Sequence, residues 1–159
     1  MFWNGVFAGP RPTLTAGKSQ YSQYLVMKKG GLVNLYQYGR LTRKTDVLLE
    51  SLCTDLMMND LAAVESEKSN LEEKVSAMEK TYESVTSCAS SFIEDLSAEE
   101  MNVHGKRIVR DYMAGIIHVR EQLSAARERR KRCLELVDVR RLKLQQFTQL
   151  FTCENDAQQ

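Results

Sequence analysis

Proline is almost missing: the 159-residue chain has two, Pro10 and Pro12, and none from residue 13 onward. Six of the eight glycines (Gly5, Gly9, Gly17, Gly30, Gly31, Gly39) also fall within the first 39 residues, so helix breakers are concentrated at one end. No apolar run approaches the roughly 18 residues that a membrane-crossing helix needs, which argues against a transmembrane chain. The four cysteines, Cys53, Cys88, Cys133 and Cys153, contain no CxxC pair, and only His104 and His118 could join them as soft ligands. That spacing argues against a zinc site and, with no secretory signal in view, suits thiols kept reduced in the cytoplasm. His104 and His118 have no serine or cysteine placed as a nucleophile beside them, and Ala16-Gly17-Lys18-Ser19 has Pro12 where a phosphate-binding loop requires glycine. Neither an enzyme nor a cofactor-binding protein is expected. A net charge of +1, from 22 basic and 21 acidic groups, supplies no global attraction to nucleic acid or anionic membrane.

Acid is missing locally. Residues 1–45 hold seven basic groups and no Asp or Glu, leaving the remainder with 15 basic and 21 acidic groups. Seven of the twelve aromatics (Phe2, Trp3, Phe7, Tyr21, Tyr24, Tyr36, Tyr38) share this stretch without a sustained helical or strand period. Residues 1–44 therefore read as an irregular, basic, aromatic-containing arm. Pro10, Pro12 and Gly17 would interrupt the amphipathic helix of an organellar presequence, so the targeting reading is set aside.

What the rest has is heptad spacing. Leu61, Val64, Lys68, Leu71, Val75, Met78, Tyr82, Val85, Ala89, Phe92 and Leu96 recur in steps of three and four, with ten of the eleven apolar or aromatic. This predicts a helix over about 60–95, with Asn59-Asp60 as its N-terminal cap. A second stripe reads Tyr112, Ile116, Val119, Leu123, Ala126, Arg130, Cys133, Val137, Arg140, Leu144, Phe147, Phe151. Ser97 and Glu100 have capping-box spacing, predicting a helix over about 98–152 that would be roughly 80 Å long. Asp46 to Leu52 reads as the end of a preceding, truncated helix. The expected fold is all-α, an elongated bundle whose packing interface comprises Leu71, Val75, Met78, Tyr82, Val85 and Phe92 of the first stripe and Ile116, Val119, Leu123, Cys133, Val137, Leu144, Phe147 and Phe151 of the second. With most of a third helix missing, part of that interface should stay exposed and favour self-association.

Arg127-Glu128-Arg129-Arg130-Lys131-Arg132 holds five basic groups in six residues. A helix spreads them around nearly two turns, acids stand three or four residues away, and no aromatic interleaves for base stacking. Nucleic acid is therefore not expected as a partner. Arg127, Arg129, Lys131 and Arg132 are candidates for a charged surface that meets an acidic protein. Arg130 and Arg140, within the stripe, can pack their alkyl stems while the guanidinium reaches a carboxylate or solvent.

Cys133-Leu134-Glu135-Leu136-Val137-Asp138-Val139-Arg140-Arg141-Leu142-Lys143, then Gln149-Leu150-Phe151 and Cys153 to Ala157, resemble a spectrin-type repeat of the Sec14-like domain and spectrin repeat-containing protein family. Looser similarity runs through Leu48 to Leu56 and Leu71 to Lys74, and repeats of Trio, kalirin and Dbl-type exchange factors are related. The resemblance implies a three-helix bundle over residues 45–153, with helix A ending at 46–52, helix B at 60–95, helix C at 98–152, and residues 154–159 opening a linker or next repeat. It further implies a non-enzymatic scaffold or spacer in a cytoplasmic, membrane-associated signalling protein, with channel or cytoskeleton-linked protein partners. A regulatory fragment of a Rho-family exchange factor is the alternative. No Sec14-like domain lies in this stretch, so no direct lipid site is expected here.

Overall fold

The computed structural model describes residues 18–97, 100–103, 106–109 and 113–159, with burial described for residues 31, 34–96 and 115–159. Helix α1 spans Lys18–Cys53, α2 Leu61–Ser97 and α3 Met113–Ala157. Strands β1 (Glu100–Val103) and β2 (Lys106–Val109) stand between α2 and α3. The fold is an all-α, three-helix bundle carrying a short antiparallel ribbon.

The first helix corrects, from residue 18 onward, the expectation of an irregular arm over 1–44. It has 36 residues and is the shortest of the three, but only by one residue against the 37 of α2. Its stripe is Gly31, Asn34, Tyr38, Leu41, Thr45, Leu48 and Leu52, in unbroken steps of three and four. Gly31, Asn34, Leu41, Thr45 and Leu48 are buried, and Tyr38 and Leu52 half-buried. Glycine costs a helix about 1 kcal/mol relative to alanine, a penalty that tertiary burial of the stripe outweighs. Thr45 is tolerated inside because its hydroxyl donates to the Leu41 carbonyl at 2.8 Å. The groove expected to stand open for want of a first helix therefore has α1 residues buried in it, which removes the basis for self-association through the core stripe. Residues 1–17, with the Pro10, Pro12 and Phe2-Trp3 features, lie outside the described residues.

The α2 boundary follows from its cap. The Ala63 amide donates to Asp60 Oδ1 at 2.7 Å, satisfying one of the first-turn amides that have no partner within the helix. The third helix, expected from 98, begins at Met113 instead. Ser97 is the last residue of α2, and Glu100 opens β1 rather than closing a capping box. The ribbon pairs Glu100 with Val109, Met101 with Ile108, Asn102 with Arg107 and Val103 with Lys106. β-branched Val103, Ile108 and Val109 favour extended backbone, and the register leaves two residues between strands, the length of the commonest hairpin connection. Those two, His104 and Gly105, lie outside the described residues, as do Ala98, Glu99 and Tyr112. At the other end α3 continues to Ala157, into the stretch expected to open a linker.

The chain forms two compact units. One takes residues up to Arg40 with Glu83–Ala126, and its core joins Ala89, Phe92 and Leu96 of α2 to Ile116 and Val119 of α3, with Ile93 and Leu123 packed against them. The other takes Leu41–Tyr82 with Arg127–Gln159 and holds the most deeply buried side chains, Leu48, Val64, Met78, Cys133, Val137 and Leu144, drawn from all three helices. Burying each such side chain contributes on the order of 1.5–3 kcal/mol.

Candidate protein-docking surface on the third helix

Helical geometry sorts the basic run of α3 into different roles. Arg129 pairs with Asp46 of α1. Arg130 bonds Glu79 of α2 from Nε to Oε2 at 2.8 Å, with its guanidinium carbon 4.9 Å from the Tyr82 ring centroid. Arg127, Lys131 and Arg132 are exposed and make no ion pair among the described residues. The candidate charged surface is thus split: Arg129 is neutralised by α1, while Arg127, Lys131 and Arg132 keep their charge facing solvent.

About two turns further on, two arginines lock α3 to its neighbours. Arg140 is only 6% exposed. Its Nη2 donates to the carbonyls of Ser51 at 3.2 Å, Leu52 at 2.7 Å and Thr54 at 2.6 Å. These carbonyls belong to the C-terminal turn of α1 and the residue just beyond it, where a helix leaves acceptors unpaired and a partial negative charge. Helix α1 has no basic residue in its own last turn, so α3 supplies the cation. Arg141 meets Glu72 of α2 through two parallel bonds, Nε to Oε1 at 2.7 Å and Nη2 to Oε2 at 2.8 Å, and holds Asp138 at 2.9 Å. The hydrogen bond from Arg141 holds the Glu72 carboxyl below its ordinary range, and Glu72 in turn raises Arg141. Arg140's capping role was not legible in advance, although an arginine in an apolar stripe opposite a helix end without its own cation is the signal that could have found it.

The residues expected to form the packing interface fall into two grades. Leu71, Val75, Met78, Val85, Phe92, Ile116, Val119, Cys133, Val137 and Leu144 are buried; Tyr82, Leu123, Phe147 and Phe151 are half-buried. Phe147 and Phe151 stack with ring centroids 6.2 Å apart. Burial pushes the Cys133 thiol up, consistent with an inert packing role. Sequence reasoning missed a different set: Leu136, Val139, Leu142 and Leu150 of α3 are exposed, together with Met57 of the α1–α2 connection. A groove lined by Asp55, Leu56, Met57, Lys143, Gln146, Phe147 and Leu150 opens beside them.

Among the described residues no group of three or more His, Cys, Asp or Glu side chains is placed to hold a metal, and no helix is long and apolar enough to cross a membrane. A family model described as SESTD1-like, spectrin repeat matches residues 34–138. The SEC14 domain and spectrin repeat-containing protein 1 of Danio rerio is 33% identical over 119 residues, covering 75% of this chain and 17% of that protein. Its Mus musculus and Homo sapiens counterparts are each 30% identical over the same length and coverage. The chain thus spans about 17% of the length of the curated relatives it matches. No solved structure gives a significant match. With three heptad helices, and a match running from the buried Asn34 of α1 to Asp138 of α3, the chain belongs to the SESTD1-like spectrin-repeat family.

Proposed function

We propose that this repeat is a docking spacer in a cytoplasmic signalling protein brought to membranes by other domains, and that the outward face of α3 is where protein partners bind. The observation that carries this reading is the unequal treatment of the basic run: Arg129 and Arg130 are paired with acids of α1 and α2, whereas Arg127, Lys131 and Arg132, all exposed, make no ion pair among the described residues, on a helix anchored by Arg140 and Arg141. Fixed, unpaired cations on a rigid helix favour an acidic partner and accelerate encounter with it. Channel or cytoskeleton-linked signalling proteins are the partners this role suggests. The relatives are named for a SEC14 domain and spectrin repeats, which favours a scaffold over a regulatory fragment of a Rho-family exchange factor.

A photo-crosslinking residue in place of Lys131, in the full chain expressed in cells, tests the reading. Discrete protein adducts are expected, and they should be lost when Arg127 and Arg132 are both changed to Glu without a change in thermal midpoint. Adducts to RNA alone, or none, would overturn it.

A further inference from the structure

We propose that α3 carries a second heptad seam, Arg132, Leu136, Val139, Lys143, Gln146 and Leu150, and that it receives one acidic amphipathic helix of a partner protein. The proposal rests on the docking reading above and names the partner's chemistry. The seam runs in steps of 4, 3, 4, 3 and 4, each position one residue before a member of the core stripe Cys133, Val137, Arg140, Leu144, Phe147, Phe151. One residue rotates a helix by about 100°, so the two stripes lie side by side and filling one leaves the other free. The core stripe is packed in the bundle, whereas Leu136, Val139 and Leu150 remain 46%, 53% and 52% exposed. Three apolar side chains at heptad spacing on a solvated face match the anchor pattern by which a helix is received.

Charge selects the occupant. The seam holds two cations, Arg132 and Lys143, eleven residues apart, no acid, and no ion pair among the described residues. Eleven residues are about three helical turns, so a partner helix answers both with two acids at the same spacing. Glu128 and Glu135 stand beside the seam and repel a uniformly acidic segment, so the partner's acids must be placed rather than merely abundant. A second copy of this chain fits poorly: two seams brought together present four cations and no seam acid to meet them. At its far end the seam runs into the groove beside Met57, which is 83% exposed. A methionine wall adapts to an apolar side chain carried by the incoming helix.

The test uses the full chain and a synthetic helical peptide of about 20 residues, with leucines at heptad spacing and two glutamates eleven apart, followed by fluorescence anisotropy. A twin peptide has lysine at both glutamate positions. The glutamate peptide should bind at least about tenfold more tightly than its twin, and R132E/K143E should reverse the preference. V139D should weaken both, with helical content and thermal midpoint held in every variant. Equal affinity for the two peptides, or a preference that R132E/K143E leaves unchanged, would overturn the seam. So would a dimer in sedimentation velocity that V139D dissolves and the peptide cannot displace, since the occupant would then be a second copy. Crosslinks from position 131 that persist while the peptide preference fails would refute the seam alone; loss of both would refute the docking reading as well.

Discussion

Arg141 and Glu72 meet with two nitrogens on two oxygens, yet both side chains are about half exposed, and water limits what such a pair contributes to less than about 1 kcal/mol. Its pH dependence is more informative than its size. Glu72 is held below its ordinary value of 4.5, chiefly by the hydrogen bond from Arg141, so the unfolded chain takes up this proton more readily than the folded one. The stability is therefore present above pH 4.5 and lost as pH falls through the lowered folded value. Glu72→Gln should lower the urea midpoint slightly at neutral pH, and the difference from the parent chain should close in acid below 4.5. A gap that persists at low pH would mean that Glu72 acts through packing. Residue identity alone showed that α3 is rich in arginine. It did not show which arginines are taken, because Asp46, Glu79 and Glu72 reach them from helices distant in sequence.

Among the elements, α2 was legible almost to its ends because its stripe is apolar and Asp60 caps it. Helix α1 was hidden by the chemistry of its stripe: Gly31, Asn34 and Thr45 break the apolar pattern while keeping heptad spacing, and their burial depends on neighbours that the sequence does not display. The ribbon was hidden by a competing signal, since Ser97 and Glu100 have the spacing of a capping box. Gly39 offers a test of α1. It lies within the helix, is exposed, and a Cβ added there would meet nothing within 4 Å. Gly39→Ala should therefore stabilise the chain by about 0.5–1 kcal/mol, raising the thermal midpoint by roughly 1–4 °C. A neutral or lowered midpoint would show that α1 is not helical at that point in solution.

At the scale of the molecule, the family was legible from Cys133 to Lys143, the same stretch that supplies Val137 to the core and Arg140 to the end of α1. Arg140→Met keeps the alkyl packing and removes the three bonds to the carbonyls of Ser51, Leu52 and Thr54. Charge-assisted bonds from a buried guanidinium make a loss of about 2–4 kcal/mol the expected result, read as a lower urea midpoint with unchanged slope. A loss under about 0.5 kcal/mol would mean that water replaces the guanidinium at no cost. The same contact also sets an order of events. The donor lies 86 to 89 residues beyond its acceptors, so a ribosome that has delivered all of α1 has not yet made the group that closes it. At about 5–20 residues per second the interval lasts several seconds, during which the exit of α1 stays open to water and to chaperones. The repeat is thus finished from its far end backward, with the last helix synthesised completing the first.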